Sequence, residues 1–427
     1  LDKGGNIMMR SMYSSISGLR THQTKMDVIG NNIANVNTVG YKKQTVSFQE
    51  VFSQVIRGAS APQGGKGGTN PQQIGLGVDV GAITTIHTQG ATQRTDNPED
   101  LMINGEGFFV VTDDANFEKR YFTRAGNFTL DRDGNLVTVD GYKVLGYTID
   151  EEGNPTSTLA PVRINKSQTA EPSPTTKIEI RGNLDSRTTD EEHLADTIIK
   201  DSLGNSYVAT FKFNKVKDAS GNEYWVITLE SLKSQTEGSE NILNNPITVF
   251  DGVTFNQDGK LTTATQEVQI NLNDIYFGDG GYITIDFSGL TQYANEMDAK
   301  PYAMDGNSSG TLEGYTIDAK GVVYGVFSNG ESKPLAQLVL AKFDNPMGLQ
   351  KIGSNLFIDS RNSGEPQYGV ADSGGFGSIA SGALEMSNVD LAYEFTEMIT
   401  TQRGFQANSR IITVADEMLQ ELVNIKR

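Results

Sequence analysis

Large apolar residues at both ends of the chain follow a helical rhythm. Met12, Ile16, Leu19, Met26 and Ile33 fall on a 4-3-7-7 spacing, with Gln23 and Gly30 in the intervening seam positions. Ile29 and Val36 extend the stripe, which predicts a helix over residues 9–36, roughly 40 Å long. At the other end Leu391, Phe395, Met398, Phe405, Ile412, Leu419 and Leu422 form a second stripe. Ser387 with Asp390 three residues on predicts a capping box ahead of it. Lys426 and Arg427 sit where the end of a helix favours positive charge. Two amphipathic helices at the chain's extremes most simply pair with each other or with neighbouring chains. Alone they are marginal and are expected to order on assembly.

The first helix ends in "NNIANVNTVGYK", residues 31–42, which is crowded with asparagine, a poor helix former and a good turn former. Asn37, Thr38 and Gly40 are predicted to form a hinge, with Gly40 free to adopt positive φ. Residues 58–77, rich in Gly, Pro and Gln, predict an extended linker arm.

Alternating patterns fill the middle. One device recurs there: Asp or Asn, two residues, then Gly, starting at Asp131, Asp150, Asp201, Asp218, Asn256 and Asp318. It suits a type I turn with a following bulge, hence hairpins. The string "GYTID" occurs at residues 146–150 and again at 314–318, each time leading into that turn. The two copies bracket a block that reads as an insertion. The expected fold is therefore mainly β with α-helical termini and nested discontinuous β domains. The predicted parts are a terminal helical core (1–57 with 381–427), the arm, an inner β domain (78–150 with 314–380) and an inserted outer β domain (151–313).

Composition narrows the function. A net charge of −18 lacks the basic footprint a nucleic acid or an anionic membrane surface needs, so neither is an expected partner. No apolar run approaches the length of a membrane span. The chain has no cysteine, which removes disulfides, thiolate metal sites and thiol catalysis. His22, His87 and His193 are scattered.

Local motifs do not assemble into a catalytic site. "GNSSG" at 306–310 matches a nucleophile elbow, yet no histidine follows it in the chain. "GFGSIA" at 375–380 has no βαβ context, and "DRDGN" at 131 lacks the spacing of a calcium loop. Tyr207, Tyr224 and Trp225 read as alternating β-core aromatics rather than a glycan platform. No enzyme activity, cofactor or metal is expected. Lys3-Gly4-Gly5 just before Met8 and Met9 reads as a translated ribosome-binding site, which predicts a natural start at one of those methionines.

Three ordered segments carry a family resemblance. "SSISGLRTHQTKMDVIGNNIANVNTVGYKK" (14–43), "LMINGEGFFVV" with "YFTRAGNFTLDRDGNLVTVDGYKVLGY", and the last 46 residues from "GALEMSNVDLAYEF" (382–427) together resemble the bacterial flagellar rod and hook axial proteins. The resemblance implies a helical homopolymer: terminal helices in an inner tube, β domains in outer layers, and export through the flagellum's own secretion apparatus. It also implies rod, hook-cap and hook–filament junction proteins as neighbours, and an extracellular place in the flagellum. The inserted block favours the hook-building members; the long arm resembles that of distal rod members. A secreted β-rich adhesin is the remaining reading. Within the family reading, the two apolar stripes are the expected assembly interface, and Asn32 and Asn35 are expected to bond adjacent subunits.

Overall fold

The computed structural model describes residues 2–425 except 63–66, 151–152, 189–191, 219–222, 236–240, 244, 263–266 and 272–281. The chain is mainly β with a long helix at each end, α1 (Asp2–Ala34) and α2 (Leu391–Ile425). It divides into two units. The first comprises Leu1–Ile164, Thr316–Tyr324 and Pro334–Arg427, and the second Asn165–Tyr315 and Gly325–Lys333.

In the first unit α1 packs along α2, and a mixed-length antiparallel sheet forms the β core. Its central strands run in the order Ser332–Lys342, Lys143–Ile149, Phe108–Thr112, Tyr121–Thr123, Leu356–Ile358 and Gln350–Gly353. Phe108, Val110, Phe122, Leu145, Val339, Phe343 and Phe357 fill one face of it. The rings of Phe122 and Phe343 meet edge-on at 4.7 Å, as aromatic quadrupoles prefer.

The second unit stacks two four-stranded sheets. One runs Glu267–Asn271, Tyr282–Tyr293, Lys177–Asp185, Lys300–Ala303, and the other His193–Lys200, Ser206–Lys217, Glu223–Ser234, Ile247–Val253. Strict alternation in "SYVATFKFNKVK" sends Ala209, Phe211 and Phe213 inward. Trp225, the chain's single tryptophan, is fully buried in that core, so it offers no platform for a sugar.

The recurring turn is built as its residue pattern requires. At Asp131, Asp150, Asp201, Asn256 and Asp318 the glycine N–H donates to the first residue's carbonyl at 3.0–3.1 Å. The first side chain accepts the next backbone N–H at 2.7–2.8 Å. The glycines lie at φ between 74° and 86°, the left-handed region that disfavours a Cβ. Gly221, which closes the turn begun at Asp218, lies outside the described residues.

Four expectations from sequence are corrected. The stretch up to residue 57 is not helical throughout. After α1 it forms β1 (Gln44–Glu50) and β2 (Ser53–Arg57). Residues 58–77 are not a plain loop. They continue a hairpin in which β3 (Gln72–Gly75) pairs β2, and β4 (Val78–Thr85) pairs β1. The Gly and Pro of residues 58–77 obscured the strand pattern that "TVSFQ" begins. Pro155–Pro161, assigned by sequence to the inserted block, pairs instead with Lys143–Ile149. Asp390 rather than Ser387 caps α2: its carboxylate accepts from the N–H groups of Ala392 and Tyr393 at 2.9 and 3.3 Å. Lys426 and Arg427 lie outside the described residues.

Candidate assembly surface on the terminal helices

The seam between α1 and α2 is made of small and polar residues with one large apolar residue, Ile29. On α1 the line is Ser15, Gly18, His22, Lys25, Ile29 and Asn32, a 3-4 alternation. On α2 it is Glu394, Thr401, Asn408 and Ala415, spaced by seven. Ser15, Ile29, Asn32, Glu394, Thr401 and Ala415 are buried. Two glycines let the helices close. A Cβ on Gly18 would stand 2.8 Å from the Asn408 amide, and one on Gly404 2.7 Å from the His22 ring. Lys25 and Glu397 clasp the pair at 2.5 Å. Burial, then the Lys25 charge, lowers the pKa of His22 below that of a free imidazole, which suits a neutral ring in the seam.

Of the predicted apolar stripes Ile29 lies in this seam, and the other members border it. Met12, Leu19, Met26 and Ile33 are half-buried along one edge, and Met398, Phe405, Ile412 and Leu419 along another. Ile16, Leu391 and Phe395 are exposed, and the side chain of Leu422 lies outside the described residues. Sequence reasoning missed Met9 and Tyr13 on α1, which run into the predicted Ile16, and Ile411, Val414 and Met418 on α2; both rows are exposed at i, i+3/i+4, i+7 spacing. Ile399 extends the Leu391–Phe395 row. Their spacing was visible, but a search for one seam per helix assigns each stripe a single face.

The ribbon of β1–β4 adds Phe48, Phe52, Val55, Ile56, Ile74 and Ile83, all exposed. Its base rests on α1: the Val78 N–H donates to Ser17 Oγ at 3.2 Å, and Phe48 meets His22 edge-on at 5.5 Å. Two-stranded ribbons and a two-helix pair with open apolar flanks are each incomplete as folding units in water.

The asparagines at the end of α1 act inside the chain. Asn32 Nδ2 donates to the Gln44 carbonyl at 2.8 Å and to Glu394 at 3.2 Å. Its Oδ1 accepts from the Gln44 N–H at 3.0 Å and the Tyr41 hydroxyl at 3.2 Å. Asn35 Nδ2 reaches back to the Asn31 carbonyl at 2.9 Å, and its Oδ1 accepts from Thr38. A turn leaving a helix end has orphan backbone groups to satisfy, and within the chain these amides satisfy them. Asn32→Leu is expected to destabilise the monomer by about 2–4 kcal/mol, because it orphans both Gln44 backbone groups and Glu394. Urea unfolding of the first unit measures it; an unchanged midpoint would refute the assignment.

Nor is the predicted hinge loose. Asn37 is exposed, but the turn around it is pinned. Gly40 has φ +68°, and a Cβ there would lie 2.5 Å from the Ala125 nitrogen. The Gly40 N–H donates to the Glu385 carbonyl at 2.8 Å, and Asn355 Nδ2 donates to the Val39 carbonyl at 2.9 Å.

Beside that turn lies a buried charge cluster that the sequence did not disclose. Glu385, without solvent exposure, accepts from Lys42 Nζ at 2.6 Å, from the Gly90 N–H at 2.9 Å and from Arg124 at 3.4 Å. Lys42 also donates to the Thr88 carbonyl at 2.7 Å, and Arg124 to the Gly105 carbonyl at 2.8 Å. Burial lowers the pKa of both cations, and Glu385 opposes the shift. His87, between Phe108 and Phe357, is held down to about 4, first by burial and then by the charges of Lys42 and Arg124. It is therefore neutral at pH 7 and adds no third positive charge. Three chain segments far apart in sequence meet here: the exit of α1, the β core and the approach to α2.

Among the described residues no group of three or more His, Asp or Glu side chains is placed to hold a metal ion. The comparisons with known proteins follow the same order along the chain. Family models match residues 12–42 (flagella basal body rod protein), 102–185 (flagellar hook protein FlgE/F/G D1 domain), 183–307 (flagellar basal body protein FlaE D2 domain) and 380–425 (flagellar basal body rod FlgEFG protein C-terminal). The flagellar hook protein FlgE of Borreliella burgdorferi is 40% identical over 98% of this chain and 100% of its own. That of Treponema pallidum is 35% identical over the same shares, as is the flagellar basal-body rod protein FlgG of Bacillus subtilis. The crystal structure of the Helicobacter pylori flagellar hook protein FlgE2 shares the fold, with a TM-score of 0.52 at 16% identity over 67% of this chain and 98% of that one. By full-length identity to hook proteins and by four family segments in matching order, the chain belongs to the flagellar hook protein family.

Proposed function

We propose that the chain is a non-enzymatic subunit of the flagellar hook, polymerising through its terminal helices into the flexible tube that passes torque from rod to filament. The observation that carries this is the pairing of a small, polar intramolecular seam with large apolar residues left open on both flanks. A head-to-tail contact on such a surface that does not close into a ring generates a helical tube. A tube that bends as it rotates needs inner contacts that hold and outer contacts that slide at small cost. The apolar helix faces suit the first role, and the turn-rich β surfaces suit the second.

In this reading the second copy of the chain is the main partner. Rod, hook-cap and hook–filament junction proteins are neighbours at the tube's ends, and the flagellar export apparatus delivers the subunit outside the cell. The charge of −18 supports a role without nucleic acid or membrane surface. The predicted nested parts keep their place in this proposal, with the pinned turn at Thr38–Gly40 joining helix to β layers. The distal rod alternative rests on the similarity to the Bacillus subtilis rod protein. Deleting the gene and imaging isolated basal bodies separates the two. Complete rods without hooks are expected, whereas rods lacking their distal part would favour the alternative.

A further inference from the structure

Six of the eleven methionines stand on the two helices, four on α1 and two on α2. Two of them close exposed apolar rows: Met418 (45% exposed) beyond Ile411 and Val414, and Met9 (50% exposed) before Tyr13 and Ile16. Met12, Met26 and Met398 are half-buried on the adjoining stripes. Leucine would supply equal apolar bulk at these positions. Methionine adds an unbranched, polarizable side chain that adapts to a deforming contact, and a sulfur that oxidants reach.

We propose that Met418, and with it Met9, is an oxidation site that controls polymerisation of the free subunit, with small hydroperoxides as the reactant class. The thioether sulfur takes one oxygen from the peroxide as the O–O bond breaks. The sulfur is oxidised by two electrons to the sulfoxide, and for hydrogen peroxide the reduced product is water. In the monomer the sulfoxide stays in water and costs the fold little. In an assembled contact it sets a strong acceptor against apolar side chains with no donor, which is unfavourable. Once a neighbour covers the row, the sulfur is shielded. The modification therefore acts before assembly and not after it. This inference rests on the assembly reading above.

The molecule carries its own controls. Met304 and Met347 are as exposed, at 52% and 59%, but lie off the helices, and Met102 is 3% exposed in the β core. The test treats purified full-length chain with hydrogen peroxide, maps sulfoxides by peptide mass spectrometry and measures the critical concentration for tube formation. It does the same for the Met9→Leu/Met418→Leu variant. The treated natural chain is expected to need about tenfold more protein or higher to polymerise. The variant's own critical concentration should be the same with and without treatment, although Met304 and Met347 are oxidised. Sulfoxide at Met9 and Met418 without a change in critical concentration would overturn the inference and leave the assembly reading intact, as would equal inhibition of the variant. Failure of the untreated chain to form tubes at any concentration would overturn both.

Discussion

Glu385→Ala is expected to cost the first unit about 3–5 kcal/mol, the effect of leaving buried cations without their anion. The carboxylate faces Lys42 and Arg124 and also receives the Gly90 N–H, so its removal leaves two buried cations without their anion and takes the acceptor from the Gly90 N–H. Folded domains hold only about 5–15 kcal/mol in total, so a loss of this size is large. The single tryptophan, Trp225, lies in the second unit, which makes the experiment selective. Far-ultraviolet circular dichroism should show an earlier transition for the first unit, while tryptophan fluorescence should report an unchanged one. Burial, and then the Arg124 charge, would act on Lys42 unopposed, depressing its folded-state pKa further below 10.5. The unfolded chain would bind more protons than the folded one, so the variant's stability should rise with pH. A midpoint shift equivalent to less than about 1 kcal/mol would show that the cluster is not what joins the helices to the β core.

Val414→Asp is expected to abolish assembly while leaving the monomer folded. The side chain is exposed on α2 between Ile411 and Met418, and in the free subunit an aspartate there stays in water. Buried against a neighbour it would cost about 3 kcal/mol or more per contact, about a hundredfold in critical concentration. Phe395→Asp, on the other exposed row of α2, should behave alike. Asn32→Leu should show the reverse pattern, a weakened monomer, because its side chain works within the chain.

Periodicity made the two helices legible, and the turn motif made the hairpins legible, because each depends on residues within a few positions of one another. The faces of the helices were not separable that way. The sequence stripe of Ile16, Leu19, Met26 and Ile33 is one position off the seam of Ser15, Gly18, Lys25 and Asn32. Only the partner helix decides which side closes. Small residues such as Gly18 and Gly404 carry no hydrophobic signal, yet they set the approach distance. Glu385 looks like one acidic residue among many. Its role depends on Lys42 and Arg124, 343 and 261 residues away in the chain. Asn32 is the converse case: its residue type suggested a joint between molecules, and its actual partners, Gln44, Tyr41 and Glu394, lie within one.

The central claim is that the open apolar rows of the terminal helices become covered on assembly. The chain contains no cysteine, so Val414→Cys gives a unique thiol. Its rate of reaction with a maleimide, compared between free subunit and assembled tube, tests the claim most directly. Fast labelling of the subunit and strong protection in the tube are expected. Equal labelling rates in the two states would contradict it.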